Sequence, residues 1–469
     1  MRTPTRKDRD PNLPPVEDAE TPQPPTPRPM VAVVGRPNVG KSTLFNRIIG
    51  RRKALVHDRP GATRDRNIEP TDWEGVEFLL VDTGGYDLEL DDPLLAGVVE
   101  QVRLAIDEAD AIIYLAAVDE PDHPADAEIV RLLRNTRKPV FIAVNKCDNA
   151  RRELEANEFY RLGVDAVHPV SALHGLGIGD LLSDVVAALR KVSQPTGLAG
   201  GAGLRLALVG RQNVGKSTLI NQLAGQARVL ATSLPGTTRD AIDTHVTAPD
   251  GTPFTIIDTA GIRRRGKVQR GIEHLSVLAA RMNLERTDVA ALLVDAIEGL
   301  TEQDAHIAGY CVDAGRPTMI LVNKWDAVDK DTHTADAFTH HIEHEWPFIG
   351  FAPVVYLSAL SGQRATRVFE IAERIWANAT QRIPTAELNE HLARWIARKE
   401  PAIARNRRPK IRYMTQYTTA PPSFAVFVND PTLIHFSYRR YLVNRLRETW
   451  DFEGTPIRLT LRATRGKGE

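Results

Sequence analysis

Gly35-Arg-Pro-Asn-Val-Gly-Lys-Ser42 lies between an apolar run, Met30–Val34, and the segment Thr43-Leu-Phe-Asn-Arg-Ile-Ile49, so strand, glycine-rich turn and helix follow one another. Gly-x-x-x-x-Gly-Lys-Ser is the pattern of a phosphate-binding loop. Gly35 and Gly40 let consecutive backbone N–H groups turn inward around a polyphosphate, Lys41 brings a point charge to the β- and γ-phosphates, and Ser42 is placed to ligate Mg²⁺. Arg36, Pro37, Asn38 and Val39 complete the turn. A single octapeptide of this kind can occur by accident on any loop. The chain carries it twice: Gly210-Arg211-Gln212-Asn213-Val214-Gly215-Lys216-Ser217 follows the apolar run Leu204–Val209 and precedes Thr218-Leu-Ile-Asn221.

A phosphate loop does not say which nucleotide is held, so the downstream segments matter. Asp82-Thr83-Gly84-Gly85, followed by Tyr86, and Asp258-Thr259-Ala260-Gly261, followed by Ile262, each close an apolar strand. In such a segment the aspartate holds Mg²⁺ through water and the last glycine's N–H reaches the γ-phosphate. Between loop and aspartate lie Pro60-Gly-Ala-Thr63-Arg-Asp65 and Pro235-Gly-Thr-Thr238-Arg-Asp240. There Thr63 and Thr238 offer hydroxyl and carbonyl to Mg²⁺ and the γ-phosphate, in a segment ordered by that phosphate. With Lys41 and Lys216 they are the candidate catalytic residues. Arg64, Asp65, Arg239 and Asp240 read equally well as turn formers or solvated charges.

Asn145-Lys146-Cys147-Asp148 and Asn323-Lys324-Trp325-Asp326 also close strands. A carboxylate in this place accepts hydrogen bonds from N1–H and the exocyclic amine of guanine, whereas adenine presents an acceptor there and leaves the charge unpaired. Ser171-Ala172 and Ser358-Ala359 supply the backbone N–H for guanine O6. Cys147 and Trp325 stand at the variable position and need no chemistry of their own. The reading predicts two GTP/GDP sites, each with Mg²⁺.

At 469 residues the chain is too long for one core. A hydrophobic content of 42% and a charged content of 26% are those of a globular protein, and no apolar run reaches the ~18–20 residues that span a bilayer. The N-terminus lacks the basic-then-apolar order of a secretory signal, which predicts a cytoplasmic protein. Cys147 and Cys311 fall in different predicted domains, so a disulfide framework is not expected. Net charge is zero, yet from Pro401 to Glu469 there are 13 Lys/Arg and 5 Asp/Glu, a balance of +8 that suggests contact with a polyanion.

Residues 1–29 are proline-rich and nearly free of large apolar residues, the composition of a disordered tail. Residues 30–190 alternate strands (Val31–Val34, Phe78–Val81, Ala111–Leu115, Val140–Val144, Ala166–Pro169) with helical patterns (Pro93–Glu108, Ala125–Arg134). That alternation predicts a doubly wound, mostly parallel sheet, an α/β fold with ligands at the carboxyl ends of its strands. Residues 191–203 read as a flexible glycine-rich linker. Residues 204–383 repeat the first pattern, with strands at Leu204–Val209, Phe254–Ile257, Val289–Val294, Thr318–Val322 and Val354–Leu357. Residues 384–469 change to a small α+β module: a helix from Thr385, which is its candidate cap, strands Lys410–Tyr417 and Ser423–Val428, a basic helix Ser437–Thr449, and a strand Pro456–Leu461.

These segments, in one order and twice over, resemble the Ras-like P-loop GTPases of the translation-factor type. Two tandem copies with a C-terminal module are similar to the Der (EngA) family, the bacterial double-GTPases of ribosome assembly. Asn429-Asp-Pro-Thr-Leu-Ile-His-Phe-Ser-Tyr-Arg-Arg-Tyr-Leu-Val-Asn-Arg-Leu-Arg447 and Phe452-Glu-Gly-Thr-Pro-Ile-Arg-Leu459 resemble that family's KH-like domain. The resemblance implies a monomeric assembly factor for the large (50S) ribosomal subunit that meets rRNA and neither DNA nor membrane.

Ras-type enzymes orient water with a glutamine just after Asp-x-x-Gly; Tyr86 and Ile262 stand there instead. Similar GTPases bind K⁺ beside the β/γ-phosphates through an asparagine at the position of Asn38 and Asn213, which implies slow, potassium-stimulated hydrolysis. A loop asparagine bonding its own backbone is the alternative. The C-terminal module lacks the Gly-x-x-Gly loop of nucleic-acid-binding KH domains. Its basic surface is predicted from Arg405, Arg407, Arg408, Lys410, Arg439, Arg440, Arg445 and Arg447, with rRNA contact and docking against a GTPase domain both open. His340, His341 and His344 read as a polar helix face. Two other readings stay in view: a GTPase accessory to RNA modification, which requires a partner enzyme, and a membrane- or division-associated GTPase, which requires an amphipathic anchor.

Overall fold

A computed structural model describes residues 28–55, 67–84, 94–121, 123–164, 166–192, 203–226, 228–229, 243–258, 272–329, 331–403 and 407–464. Residues 1–27 of the predicted tail and 193–202 of the predicted linker lie outside the described residues.

The first body contains strands β1 (Met30–Val34), β2 (Ile68–Trp73), β3 (Val76–Asp82), β4 (Ala111–Ala117), β5 (Val140–Asn145) and β6 (Val167–Pro169), and helices α1 (Lys41–Leu55), α2 (Leu94–Glu108), α3 (Pro124–Leu133), α4 (Ala150–Glu155) and α5 (Ile178–Val192). Its strands form one sheet in the order β2-β3-β1-β4-β5-β6, parallel except for the β2/β3 pair. Every residue of β1 and β4 is buried, as expected for strands covered on both faces by crossover helices. Alternation then sorts the side chains. Met30, Ala32 and Val34 enter a cluster with Val98 and Val102 of α2, while Val31 and Val33 enter another with Leu44 and Ile48 of α1 and Leu182 and Val185 of α5.

The second body repeats this plan. Strands β7 (Leu204–Val209), β8 (Arg228–Val229), β9 (Asp243–Thr247), β10 (Pro253–Asp258), β11 (Val289–Asp295), β12 (Thr318–Asn323) and β13 (Val354–Tyr356) run in the order β13-β12-β11-β7-β10-β9-β8. Read backwards, this is the first sheet with β8 added at the edge. Helices α6 (Lys216–Gln226), α7 (Ile272–Glu285), α8 (Glu302–Asp313), α9 (Thr334–Glu345) and α10 (Arg367–Thr380) cover it. Both sheets thus place a phosphate loop at the carboxyl end of a central strand, β1 or β7, where ligands of doubly wound sheets bind.

The third body is α11 (Thr385–Arg398), β14 (Ile411–Thr418), β15 (Ser423–Val428), α12 (Phe436–Thr449) and β16 (Arg458–Ala463), with sheet order β14-β15-β16. The predicted threonine cap is corrected: Thr385 is already helical, and Pro384 precedes it as N-cap with no side-chain hydrogen bond. The last strand starts at Arg458 rather than Pro456, since a proline cannot donate to the ladder.

This module is fastened to the second body. Thr318 N donates to Gly454 O at 2.6 Å, Gly454 N to Phe351 O at 2.7 Å, and Arg458 Nη2 to Asp313 O at 2.9 Å. Arg447 lies over the Phe351 ring at 4.7 Å and donates to Phe452 O and Thr455 O, so it belongs to this joint and not to the predicted basic surface. Burial lowers its guanidinium below the usual arginine range. Arg445 is likewise engaged, by Glu448 and the Tyr441 ring. Arg439 and Arg440 are exposed, Arg407 and Arg408 pair with Asp430 and Glu400, and Arg405 lies outside the described residues.

The first body meets the second through α2 and α7. Leu278 and Met282 of α7 sit in the cluster of Val98, Val102 and Ala105, and Asn283 Nδ2 donates to Glu108 Oε1 at 3.3 Å. Among the described residues no helix is long and apolar enough to cross a membrane.

Candidate nucleotide sites

Each loop turns as the glycine pattern predicts. Asn38 and Asn213 take the left-handed conformation, with φ of 63° and 61°. Lys41 Nζ donates to Gly35 O at 2.8 Å and Arg36 O at 2.7 Å; Lys216 Nζ donates to Gly210 O at 2.7 Å and Arg211 O at 2.5 Å. Loop carbonyls therefore aim both lysines over the cradle. Pro37 lies beside Asn38 at the turn, and Gln212 and Asn213 are exposed at the equivalent place.

Behind the loop, each guanine-motif asparagine acts as a brace. Asn145 Nδ2 donates to Val39 O at 2.7 Å and its Oδ1 accepts from Ala172 N at 2.9 Å. Asn323 does the same with Val214 O at 2.7 Å and Ala359 N at 2.8 Å. One buried side chain thus ties together the phosphate loop, the end of β5 or β12, and the Ser-Ala turn. Gly40 and Gly215 make this possible, because a Cβ at either would lie 2.3 Å or 2.2 Å from the asparagine amide.

Asp148 and Asp326 lie exposed just past these strands. Ser171 Oγ donates to Asp148 Oδ1 at 2.7 Å, and Arg152 Nη1 approaches Oδ2 at 3.5 Å. Ser358 is buried and accepts from Ser361 N at 3.1 Å. Lys146 and Lys324 are left-handed, with φ of 69° and 62°, and reach back to Asp119 and Asp295 at 2.8 Å and 2.5 Å. Burial raises the Asp119 and Asp295 pKa, but the lysine contacts outweigh it and leave both carboxyls below the ordinary range. Cys147 is buried, its thiol pushed up to about 11 chiefly by that burial, and Trp325 packs on Tyr356 at 4.3 Å. The variable positions are therefore core.

Ser42 Oγ donates to Asp82 Oδ2 at 2.7 Å, and Gly84 N to Asp82 Oδ1 at 2.8 Å, so two of the three predicted Mg²⁺ ligands of the first site, Ser42 and Asp82, lie together. Thr83 is buried with its hydroxyl on Val33 O at 2.8 Å, which anchors the strand end rather than facing the loop. In the second site Ser217 lies in the first turn of α6 and Asp258 closes β10. Thr63, Thr238, Gly85, Tyr86, Thr259, Ala260, Gly261 and Ile262 lie outside the described residues, as do Arg64, Asp65, Arg239 and Asp240.

Arg47 of α1 was not singled out by sequence. Its Nε donates to Ala172 O at 3.0 Å and its Nη2 to Leu173 O, so it steadies the turn intended for guanine O6. A lone helical arginine carries no signal for this role. His340 and His344 pair with Glu343 and Glu345 on the exposed face of α9, as a polar helix face should.

Residues 382–462 match the model of the "KH-domain-like of EngA bacterial GTPase enzymes, C-terminal" family, and residues 30–146 and 205–324 each match that of the "50S ribosome-binding GTPase" family. GTPase Der of Geobacter metallireducens is 46% identical over 434 residues, covering 92% of this chain and 98% of its own length. The chain belongs to the Der family of GTPases. GTPase Der of Chloroflexus aggregans is 47% identical over 452 residues, with 94% and 100% covered. The structure of Aquifex aeolicus Era bound to GDP and AlF4⁻ covers 56% of this chain at 22% identity and a TM-score of 0.29, too slight a likeness to argue from. Like its Der relatives, this chain is a GTPase with two G domains and a KH-like C-terminal domain.

Proposed function

We propose that the chain is a GTP-driven assembly factor for the large (50S) ribosomal subunit. The observation that carries this is the joint of two GTPase bodies to a KH-like module, in a chain whose two G repeats match a family described as 50S ribosome-binding. The backbone contacts around Gly454 make the module move with the second body, so its exposed Arg439 and Arg440 keep one orientation toward a polyanion. The test is co-sedimentation with purified 50S subunits. Binding is expected with a non-hydrolysable GTP analogue and not with GDP; equal binding in both states, or pelleting with liposomes instead of ribosomes, overturns the reading.

At each site we assign guanine choice to Asp148 and Asp326; the Ala172 and Ala359 N–H groups foreseen for O6 are given to Asn145 and Asn323 Oδ1 instead. Lys41 and Lys216 meet the phosphates. Ser42, Thr63 and Asp82, and Ser217, Thr238 and Asp258, form all-oxygen sets suited to Mg²⁺, a hard cation. When bound, the ion neutralises charge on the β- and γ-oxygens. Asn38 and Asn213 have exposed side chains with no hydrogen bond among the described residues, which supports a K⁺ role over a self-bonded turn. GTP turnover is then expected to be about tenfold or more faster in KCl than in matched NaCl, the loss seen when one transition-state electrostatic contact is removed being larger still. Equal rates remove the K⁺ assignment and leave the guanine site untouched.

A further inference from the structure

In both G domains the second residue of the phosphate loop is an arginine whose side chain is taken up by carboxylates. Arg36 is buried; its Nε and Nη2 donate to Asp126 Oδ1 and Oδ2 at 2.7 and 3.1 Å, and its Nη1 to Glu120 Oε2 at 2.6 Å. Asp126 has 0% exposure and also accepts from the Tyr114 hydroxyl. In the second domain Arg211 Nε donates to Asp304 Oδ2 at 3.2 Å and Nη1 to Glu298, and the wholly buried Asp304 accepts from Thr301 Oγ1 at 2.8 Å.

The two arrangements are the same device. Strand register pairs Val34 with Tyr114 and Val209 with Leu292. From those residues the glutamate and the aspartate lie six and twelve positions on in each domain, 120 and 126 after 114, 298 and 304 after 292. Buried ion pairs are weak sources of stability, because desolvation consumes most of the attraction and an apolar pair of equal volume does as well. Something other than stability accounts for an ion pair to a wholly buried aspartate at one loop position in both repeats. Its effect on the loop is direct: Arg36 and Arg211 are the residues whose carbonyls, with those of Gly35 and Gly210, receive Lys41 and Lys216 Nζ.

We propose that Asp126 and Asp304, assisted by Glu120 and Glu298, are positioning residues for GTP binding: acting through the loop arginine, they hold the carbonyls that aim the loop lysine at the phosphates. The fork is complete in the first domain. In the second only one of the two bonds to the aspartate is made, for Arg211 Nη2 and Asp304 Oδ1 are buried without hydrogen-bond partners and Leu292 takes the place of Tyr114. Breaking the clamp therefore costs the first site more.

The test uses the full chain and steady-state GTP turnover. Lys216→Ala silences the second domain so that the first is read alone, and Lys41→Ala does the converse. In the Lys216→Ala parent, Asp126→Asn is expected to raise KM for GTP about tenfold with kcat within about twofold, the scale of one charge-assisted hydrogen-bonded pair. Asp126→Glu, which keeps the charge, recovers most of the affinity. In the Lys41→Ala parent, Asp304→Asn raises KM about threefold, in keeping with the single bond between Arg211 and Asp304. A loss of thermal stability with KM unmoved, or KM and kcat falling together, makes the clamp merely structural and overturns the proposal. Should Asp126→Asn not fold, Glu120→Gln removes a leg whose side chain is 55% exposed; it is expected to raise KM about twofold, and an unchanged KM contradicts the proposal equally.

Discussion

Asp148→Asn is expected to move the first site from guanine to xanthine nucleotides, and Asp326→Asn to do the same for the second. Asp148 lies at the mouth of its pocket with one oxygen held by Ser171 at 2.7 Å, so the carboxylate is oriented before any base arrives. A carboxylate accepts two hydrogen bonds from guanine, each worth about 1.5–3 kcal/mol to a charged group. Asparagine retains one acceptor and turns a donor toward the exocyclic amine, so GDP affinity at the altered site is expected to fall roughly a hundred- to ten-thousand-fold. Xanthine carries a carbonyl where guanine carries that amine, and the new donor fits it. Titration of the double variant with GDP and with XDP reads both effects. Retained GDP affinity at both sites contradicts the assignment of base choice to these aspartates.

Gly40→Ala and Gly215→Ala are expected to close the nucleotide sites one at a time. Their φ angles are 99° and 101°, which L side chains rarely adopt, and strain of that kind costs about 1–3 kcal/mol. The added methyl would also lie 2.3 Å from Asn145 Nδ2, or 2.2 Å from Asn323 Nδ2, and displace the brace from Val39 O or Val214 O. Leaving such a buried group unpaired costs a further ~1–3 kcal/mol. GTP binding at the altered site should weaken about a hundredfold or more, with unfolding of that domain roughly 5–10 °C lower. Gly50→Ala is the control. It lies on the exposed face of α1 with nothing within 4 Å of a new Cβ and is expected to be neutral or to stabilise by about 0.5–1 kcal/mol. Equal effects of Gly40→Ala and Gly50→Ala on binding would show that the Gly40–Asn145 contact is not what matters.

The strands that sequence analysis finds in the two G domains are the parallel ones, down to β6 and β13 at the sheet edges. Val31–Val34 and Val289–Val294 are continuous apolar runs because helices cover both faces. The antiparallel edges escape it. Ile68-Glu-Pro-Thr-Asp-Trp73 contains a proline and two acids, as an edge strand tolerates, and has neither an apolar run nor clean alternation. β8, two residues long, and β9, Asp-Thr-His-Val-Thr, are missed because neither holds an apolar run. Of the site, the loop glycines, lysines and guanine-motif residues are legible because each is fixed by backbone geometry within a few residues. The partners that hold them are not. Arg36 meets Asp126 across 90 positions and Arg47 meets Ala172 across 125, and no local pattern marks such pairs. Asn145 is legible as a motif residue, but that its amide is spent on Val39 and Ala172 emerges only when three loops meet. The basic helix misleads in the other direction: Arg447 has the composition of a surface residue and the contacts of an interdomain joint.

The measurement nearest the centre of this account is the stoichiometry and base preference of nucleotide binding to the intact chain, by equilibrium titration with Mg²⁺ present. Two guanine-nucleotide pockets built alike predict that GDP binds at two equivalents per chain and that ADP, at the same concentrations, binds at neither site. One equivalent of GDP, or ADP held as firmly as GDP, would contradict it.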